Sequence, residues 1–549
     1  MRHSTLLATL TLAVLASCAS APRGEVSAPR FDGMGSHTRP SGSDLPLAQT
    51  YFDQGLALSY GFNHDEAVRS FEAVAELDPD CAMAYWGQAY ALGPNINLPV
   101  DDARSRRAYV AVQRALALSD GAAPVDRALI EALATRFAAE PPADRQALDL
   151  AYAAAMRGVW ERFANDTDVG VLYADALMNL TPWALWTHDF EPTEYTERII
   201  AALDRVLELD PQHPFANHLY IHTLEASGEP GRAEAAADRL VDLIPGSGHL
   251  VHMPSHIYVQ VGRYADAVRV NVRGSDLDRE YFEAARPQGI YHYYHAHNNH
   301  FRVWSALYMG DFDDARAALE QTLADLPEPL AADVSVSEWL ALEPHVHLRF
   351  GEWERILALP EPPAHLPYVR ASWHYGRGVA YANTGQIEAA RAEARAFELE
   401  AARVADEQLG FISSPPAVLA IARHMLAGET EYKAGDVERG LAELRLAVEA
   451  EDALDYAEPS PWMVPTRHAL GALLLEQGAV AEAQAAYEQD LRRHPGNVWS
   501  LHGLAECLER SGDRQGASEC RAQLADAQAH ASVPVEASCF CRTDGVAWQ

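Results

Sequence analysis

LAQTYFDQGLALSYGFNHDEAVRSFEAVAELDPD, from Leu47 to Asp80, is the stretch whose reading decides the fold. Gly55 is followed twelve residues on by Ala67, four later by Phe71 and eight later by Pro79. Apolar residues recur at helical spacing on either side of the turn at Gly61, so the stretch reads as helix, turn, helix. Near the C-terminus the same spacing returns as Gly471, Ala483, Tyr487 and Pro495, with Ala505 and Ala517 each 34 residues after their counterparts. In the middle, Ala233 and Pro245 mark one unit and Ala267, 34 residues after Ala233, marks the next. Three separate stretches share one period, and a fixed period of this length is the mark of a solenoid whose units pack on their neighbours.

This spacing resembles the tetratricopeptide repeat, which implies an all-α solenoid (TPR) without a sheet. Further helical patterns run over 101–118, 123–138, 143–164, 167–180, 192–209, 333–350, 366–384, 386–406, 414–434 and 436–451. Together they make about ten or eleven helix pairs over 45–530. The segments DPD, DPQHP, PGSG, LPEP and HPGN set Pro or Gly just past helix ends. Two connections are long for this architecture: Thr181 to Pro192, with Trp183, Trp186, His188 and Asp189, and about 14 residues before Ala296 carrying Tyr291 to His295. The second is expected to form a loop that lids the groove.

Outside the array, Arg2, the apolar run Leu6 to Leu15 and Ala16-Ser17-Cys18 have the charged, apolar and small-residue parts of an export signal over 1–18. The string LASC is similar to a bacterial lipobox, which implies lipidation of Cys18. Residues 19–44, rich in Ser, Pro, Gly, Ala and Arg, read as a flexible tether, and 531–549 as a Cys-containing tail. Cys507 and Cys520 fall on the two helices of the last repeat and could bridge in an oxidising compartment; Cys539 and Cys541 could pair elsewhere or stay free. The net charge of −35 argues against nucleic acid, whose phosphates need Lys and Arg, and against a polybasic membrane contact. Any membrane contact is expected through the anchor alone, on the periplasmic side of the envelope.

Histidine concentrates in one segment, 214–300. His218/His222 and His252/His256 are spaced four apart and His297/His300 three apart, so each pair shares a helix face. In tetratricopeptide proteins the first helix of a unit lines the concave groove through positions 2, 5, 9 and 12. With Ala233, Ala267 and Ala315 as position 20, positions 2, 5 and 9 of three successive units hold His218, His222, His249, His252, His256, His297 and His300, with Phe215 and Trp304 in the other two places. At 23 histidines in 549 residues, fewer than one would fall there by chance. One such histidine is more often a core or capping residue, but seven on one surface point to a transition-metal site, with imidazole suiting Cu, Zn or Fe.

The expected ligands are His218, His222, His252, His256, His297 and His300, joined by His249 and Glu225. Asp175, Glu338, His345 and Trp304 stand at groove positions around them, and Tyr258, Tyr294 and Glu225 are candidate catalytic groups. No G-x-S-x-G, no Cys beside a base and no glycine-rich phosphate loop occurs.

The strings NHLYIHTLEAS, GHLVHMPSHIY, HNNHF, GFNHDEA, GPNIN and PWMVPTRHALGALL together resemble a bacterial family of exported tetratricopeptide proteins, over about Leu47 to Gly512. The resemblance implies fold and export, not a reaction. The residues themselves favour a lipid-anchored metalloprotein, leaning to a metal-dependent enzyme (oxidase, oxygenase or hydrolase) acting on a small molecule or peptide in the groove. The alternatives are a protein-interaction scaffold in the envelope and metal capture or delivery without turnover.

Overall fold

Phe71 explains why the spacing builds a solenoid. A Cβ on Gly55 would lie 2.7 Å from its ring, and one on Gly87 only 2.4 Å. One aromatic from the second helix of a unit is therefore seated on glycines of two successive first helices, which lets three helices approach around it. Tyr487 repeats the arrangement at the other end of the chain, where a Cβ on Gly471 would lie 2.5 Å away and one on Gly503 2.2 Å.

The computed structural model describes residues 26–286, 290–327, 330, 333–405 and 414–542. Among the described residues there is no strand, only the isolated bridges Asn95–Leu98 and Trp186–Pro192, and no helix is long and apolar enough to cross a membrane. Helices expected at 101–118, 192–209, 366–384, 414–434 and 436–451 form at Asp102–Leu118, Thr196–Leu209, Pro367–Asn383, Pro415–Lys433 and Val437–Asp452. Asn63, Asp101 and Asp166 cap the helices that follow them, and Pro opens those at Pro46, Pro124, Pro214, Pro367 and Pro415. The expected helix at 333–350 is split into Ser337–Leu340 and Leu342–Arg349; the ring of Pro344 blocks the carbonyl four residues back.

The helices that carry the site are α1 (Pro46–Tyr60), α2 (Pro214–Leu224), α3 (Gly248–His252), α4 (Pro254–Gln260), α5 (Tyr264–Ala285) and α6 (Tyr291–Met309). Pro254 breaks what would be one first helix into α3 and α4. The expected loop before Ala296 is a correction: on either side of 287–289, which lie outside the described residues, the chain extends two helices, so that α5 has 22 residues and α6 has 19, and Tyr291 to His295 form the first turns of α6.

The superhelix curls until distant units touch. The indole of Trp499 donates to the Leu307 carbonyl (2.7 Å), and the amide of Gly246 donates to the Gly33 carbonyl (2.8 Å). That second contact belongs to a segment expected to be a tether. From residue 26 to 44 the chain is instead a packed strap without helix. Tyr51 donates to the Ala28 carbonyl (3.0 Å), and the buried Arg39 guanidinium pairs with Asp126 (2.8 Å), Asp166 (3.1 Å) and Asp168 (3.2 Å). The described part of the tail, 531–542, also packs: Arg349 donates to the Ser538 carbonyl (2.8 Å), and Val535 sits over Gly310. Cys539 is bonded to Cys541, while Cys507 and Cys520 are free and buried, as is Cys81. Residues 1–25, with Cys18 and the expected signal, lie outside the described residues, as do 543–549.

Candidate metal centre

The histidines of α2, α3, α4 and α6 meet in the interior rather than on an open groove. His218, His222, His249, His252, His256 and His300 are all buried, and His297 is nearly so. Two side chains from outside these helices cover them. Phe62, in the turn after α1, is buried with a φ of 54°, a left-handed conformation rare outside glycine. Its ring lies 4.6 Å from that of His218, 5.9 Å from His222 and 5.7 Å from His249. From the far end of the chain, Glu458 enters the cluster and is buried there.

Hydrogen bonds fix how four of the imidazoles are oriented. His218 Nδ1 is 2.7 Å from the Tyr60 carbonyl oxygen, which can only accept, so Nδ1 carries the proton. His252 Nδ1 is 2.5 Å from Asn271 Oδ1; Asn271 is held in that orientation because its Nδ2 donates to the Ala267 carbonyl (2.8 Å). His222 Nδ1 donates to Glu225 Oε1 (2.9 Å), and His256 Nδ1 donates to Glu225 Oε2 (2.7 Å) and Glu458 Oε2 (2.7 Å). With Nδ1 protonated, each of the four presents Nε2 as a lone pair.

These lone pairs find few partners. The Nε2 atoms of His218, His222 and His300, both ring nitrogens of His249 and Oε1 of Glu458 are buried without a hydrogen bond. A buried polar atom left so costs about 1–3 kcal/mol, and several in one place call for a ligand. His252 Nε2 and His256 Nε2 approach to 2.8 Å. Two lone pairs repel at that distance unless a cation lies between them, either a proton on His256 or a metal ion.

The electrostatics divide the cluster. Burial, with neighbouring imidazoles, holds His218, His249, His252 and His297 well below the usual histidine range. Burial likewise takes His222 down to about 3, helped by His256, and His300 to about 3, helped by His345. His256 alone goes up: burial opposes its charge, but the carboxylates of Glu458 and Glu225 outweigh that and raise it to about 10. Burial and the charge of Glu225 push Glu458 up to about 7.

Ligand-type atoms within 4.8 Å of one another fall into three overlapping sets: His218, His222 and His249; His252, His256 and His297; and His222, Glu225, His256 and Glu458. A fourth set, His37, Asp168 and His213, differs in kind. Asp168 Oδ1 receives His37 (3.0 Å), Tyr60 (2.7 Å) and His213 (3.3 Å), while His213 Nδ1 caps α2 by accepting from the Ala216 amide. Both ring nitrogens of His213 and Nε2 of His37 have protein partners, and the set ties the strap to α2.

The other expected residues are placed less centrally. His300 lines the same small cavity, of about 60 Å³, but joins none of the sets. Tyr294 also lines it, stacked on His249 at 4.7 Å. Glu338 lines it as well, and burial pushes its carboxyl up to about 7. Tyr258 turns away: its hydroxyl donates to Asp238 (2.8 Å) and Arg263 covers its ring. Asp175 accepts from Tyr90 (3.1 Å) and Asn179 (2.9 Å), outside every ligand set. His345 packs against Trp462 and Tyr375, and Trp304 against Phe301 and Tyr308. At the cavity mouth Trp183 is 41% exposed with a φ of 60°, its ring edge-on to His222. Its loop is held to α2 by Trp186, whose indole donates to the Thr223 carbonyl (2.6 Å).

Phe62, Asn271 and Glu458 have no counterpart in the sequence reading. Asn271 and Glu458 act on histidines from outside the first helices. Phe62 and Glu458 come from turns or loops, where repeat position predicts nothing. The string GFNHDEA stood out, but its aromatic gave no sign that it would fill the groove.

The tetratricopeptide repeat family matches residues 52–92 and 302–338. No curated protein matches the chain. Among solved structures it is similar to human IFIT1 dimer with m7Gppp-AAAA, at 11% identity and TM-score 0.30, covering 89% of this chain and 91% of that one. The APC/C hetero-tetramer Cut9-Hcn1 is similar at 14% identity and TM-score 0.30, covering 88% and 76%. Yeast Tom70 matches at 11% and 0.30, covering 85% and 89%. Tetratricopeptide solenoids generally offer a concave surface to peptide or protein partners; here Phe62 and Glu458 fill that surface at the histidines.

Proposed function

We propose that this protein is a transition-metal protein whose solenoid is wound around a buried histidine centre, and that the metal performs redox or hydrolytic chemistry on a small ligand reaching it past Trp183. One observation carries the reading. Four imidazoles have Nδ1 engaged by a carbonyl, an amide or carboxylates, leaving Nε2 of His218 and His222 buried without a partner and Nε2 of His252 and His256 facing each other at 2.8 Å. Metal-bound histidines are oriented in this way, by hydrogen bonds to the ring nitrogen opposite the metal. Glu225, which accepts from both His222 and His256, is then a positioning residue rather than a ligand. Cu, Zn and Fe all suit such a donor set. Metal capture without turnover would use the same ligands; the cavity beside them favours a second, exchangeable ligand.

Elemental analysis of the purified full chain tests this. The expected result is at least one equivalent of Cu, Zn or Fe per chain, lowered by at least one equivalent in the double substitution His252→Ala/His256→Ala while far-ultraviolet circular dichroism is unchanged. Metal-free protein from cells supplied with all three, with no uptake on titration, would overturn it and leave the peptide-binding scaffold as the better account.

The same proposal places the protein on the envelope through lipidated Cys18, facing the periplasm. Cys18→Ser is expected to move it from the membrane pellet to the soluble fraction and to abolish incorporation of radiolabelled palmitate.

A further inference from the structure

The cluster holds more donors than one ion can use, and their grouping is uneven. An ion bound to nitrogen at about 2.0–2.1 Å draws its ligand atoms from a sphere little more than 4 Å across. Among the described residues, His218, His222 and His249 satisfy mutual closeness, and so do His252, His256 and His297, but no mutually close set contains both triads. The triads are nevertheless neighbours. Ring centroids are 4.8 Å apart for His218 and His222 and 5.1 Å for His218 and His249 within the first triad. They are 4.7 Å for His252 and His256 and 5.0 Å for His252 and His297 within the second. Between the triads, His222 and His256 stand 5.8 Å apart, and His249 and His252 6.0 Å.

The carboxylates lie where the triads meet. Glu225 accepts from one histidine of each, His222 and His256, so a single side chain sets the orientation of both halves. Glu458 belongs to the same mixed set. One of its oxygens meets His256 Nδ1, while the other, Oε1, is buried without a hydrogen-bond partner, although the residue as a whole is only 5% exposed. Glu458 therefore holds His256 from the same ring nitrogen as Glu225 does, leaving His256 Nε2 turned towards His252.

We propose that the protein holds a two-ion centre: one transition-metal ion on His218, His222 and His249, a second on His252, His256 and His297, with Glu225 and Glu458 orienting His222 and His256 from the ring nitrogens opposite the ions. This rests on the metal reading above and extends it to the number of ions and the division of their ligands. Each ion keeps positions for a further ligand on the cavity side, where His222, His249, His256 and His297 all contribute to the wall. Paired ions on such a wall suit a ligand that offers one or two oxygen atoms to both metals.

Titration of the chelator-stripped full chain with Co(II), followed by its visible absorption, tests the division. Wild type is expected to saturate at two equivalents. His218→Gln/His249→Gln and His252→Gln/His297→Gln are each expected to saturate at one, and Glu458→Gln to bind two with at least a tenfold weaker second step. Saturation of wild type at one equivalent, abolished by either double substitution, would overturn the two-ion centre while leaving the metal reading intact. No binding by wild type would overturn both. Because a variant could fail to fold, the wild-type endpoint decides alone, and circular dichroism accompanies each variant.

Discussion

At the scale of single residues, the centre is a collection of groups held away from their ordinary protonation states, and this has a sign. His222 and His300 sit at about 3 in the folded chain, against about 6.5 when unfolded. The unfolded chain therefore binds more protons below pH 6.5, and the stability these groups contribute, complete above 6.5, is lost as the pH falls towards 3. Glu338 and Glu458, raised to about 7, act in the opposite sense between about 4.5 and 7 and offset only two of the six depressed histidines there, so stability begins to fall below 6.5 and falls most steeply below 4.5. His256, raised to about 10, contributes stability that is full below 6.5 and is lost as the pH rises through 10. Urea midpoints of metal-stripped protein are expected to fall steeply between pH 4.5 and 3. Each depressed histidine adds roughly 1.4 kcal/mol per pH unit at full slope, and His300→Leu should remove one histidine's share.

At the scale of elements, the repeat was legible because its grammar is local. Gly55 and Phe71, or Gly471 and Tyr487, are visible as a spacing, and the structure gives the contact behind each. Gly87→Ala, which would put a methyl 2.4 Å from the Phe71 ring, is expected to cost about 1–3 kcal/mol. Gly158→Ala, on the helix Gln146–Arg162 with nothing within 4 Å, should instead stabilise by about 0.5–1 kcal/mol; thermal or urea unfolding of the two variants separates the packed glycine from the free one. The histidine face was legible for the same reason: the 34-residue register places His218 over His252 and His222 over His256. What was not legible is whatever register does not govern. The residues flanking 287–289 extend α5 and α6, because Tyr291, Tyr294 and His295 are buried against neighbouring elements and that packing outweighs both the unit length and the weak helix propensity of Tyr, His and Asn. Met253-Pro254 breaks a first helix that the period treats as whole. Tyr258 lies near the pairs in sequence yet faces Asp238, because neighbours along a helix point in different directions.

At the scale of the whole molecule, the centre exists because parts distant in sequence converge on it, and no periodicity foretells that. Glu458 reaches His256 across some 200 residues, and Phe62 from the first unit covers histidines of the middle ones. The strap at 26–44, which composition alone presents as a linker, is one of these long-range parts. Arg39 is buried among Asp126, Asp166 and Asp168; Asp168 also receives His37 and His213, and His213 caps α2, the helix of His218 and His222. Removing Arg39 would strand these carboxylates without their counter-charge, and breaking a buried pair from one side costs about 3–5 kcal/mol. Arg39→Ala is therefore expected to lower the unfolding free energy extrapolated from urea titration by that amount. It should also free the strap to open on its own, so that trypsin cuts after the exposed Arg30 well before the solenoid is degraded, whereas wild type resists cleavage there. Equal rates of cleavage at Arg30 in the two proteins would mean that the strap is held by its apolar contacts, with Ala28 and Phe31 doing what the ion pairs are here assigned.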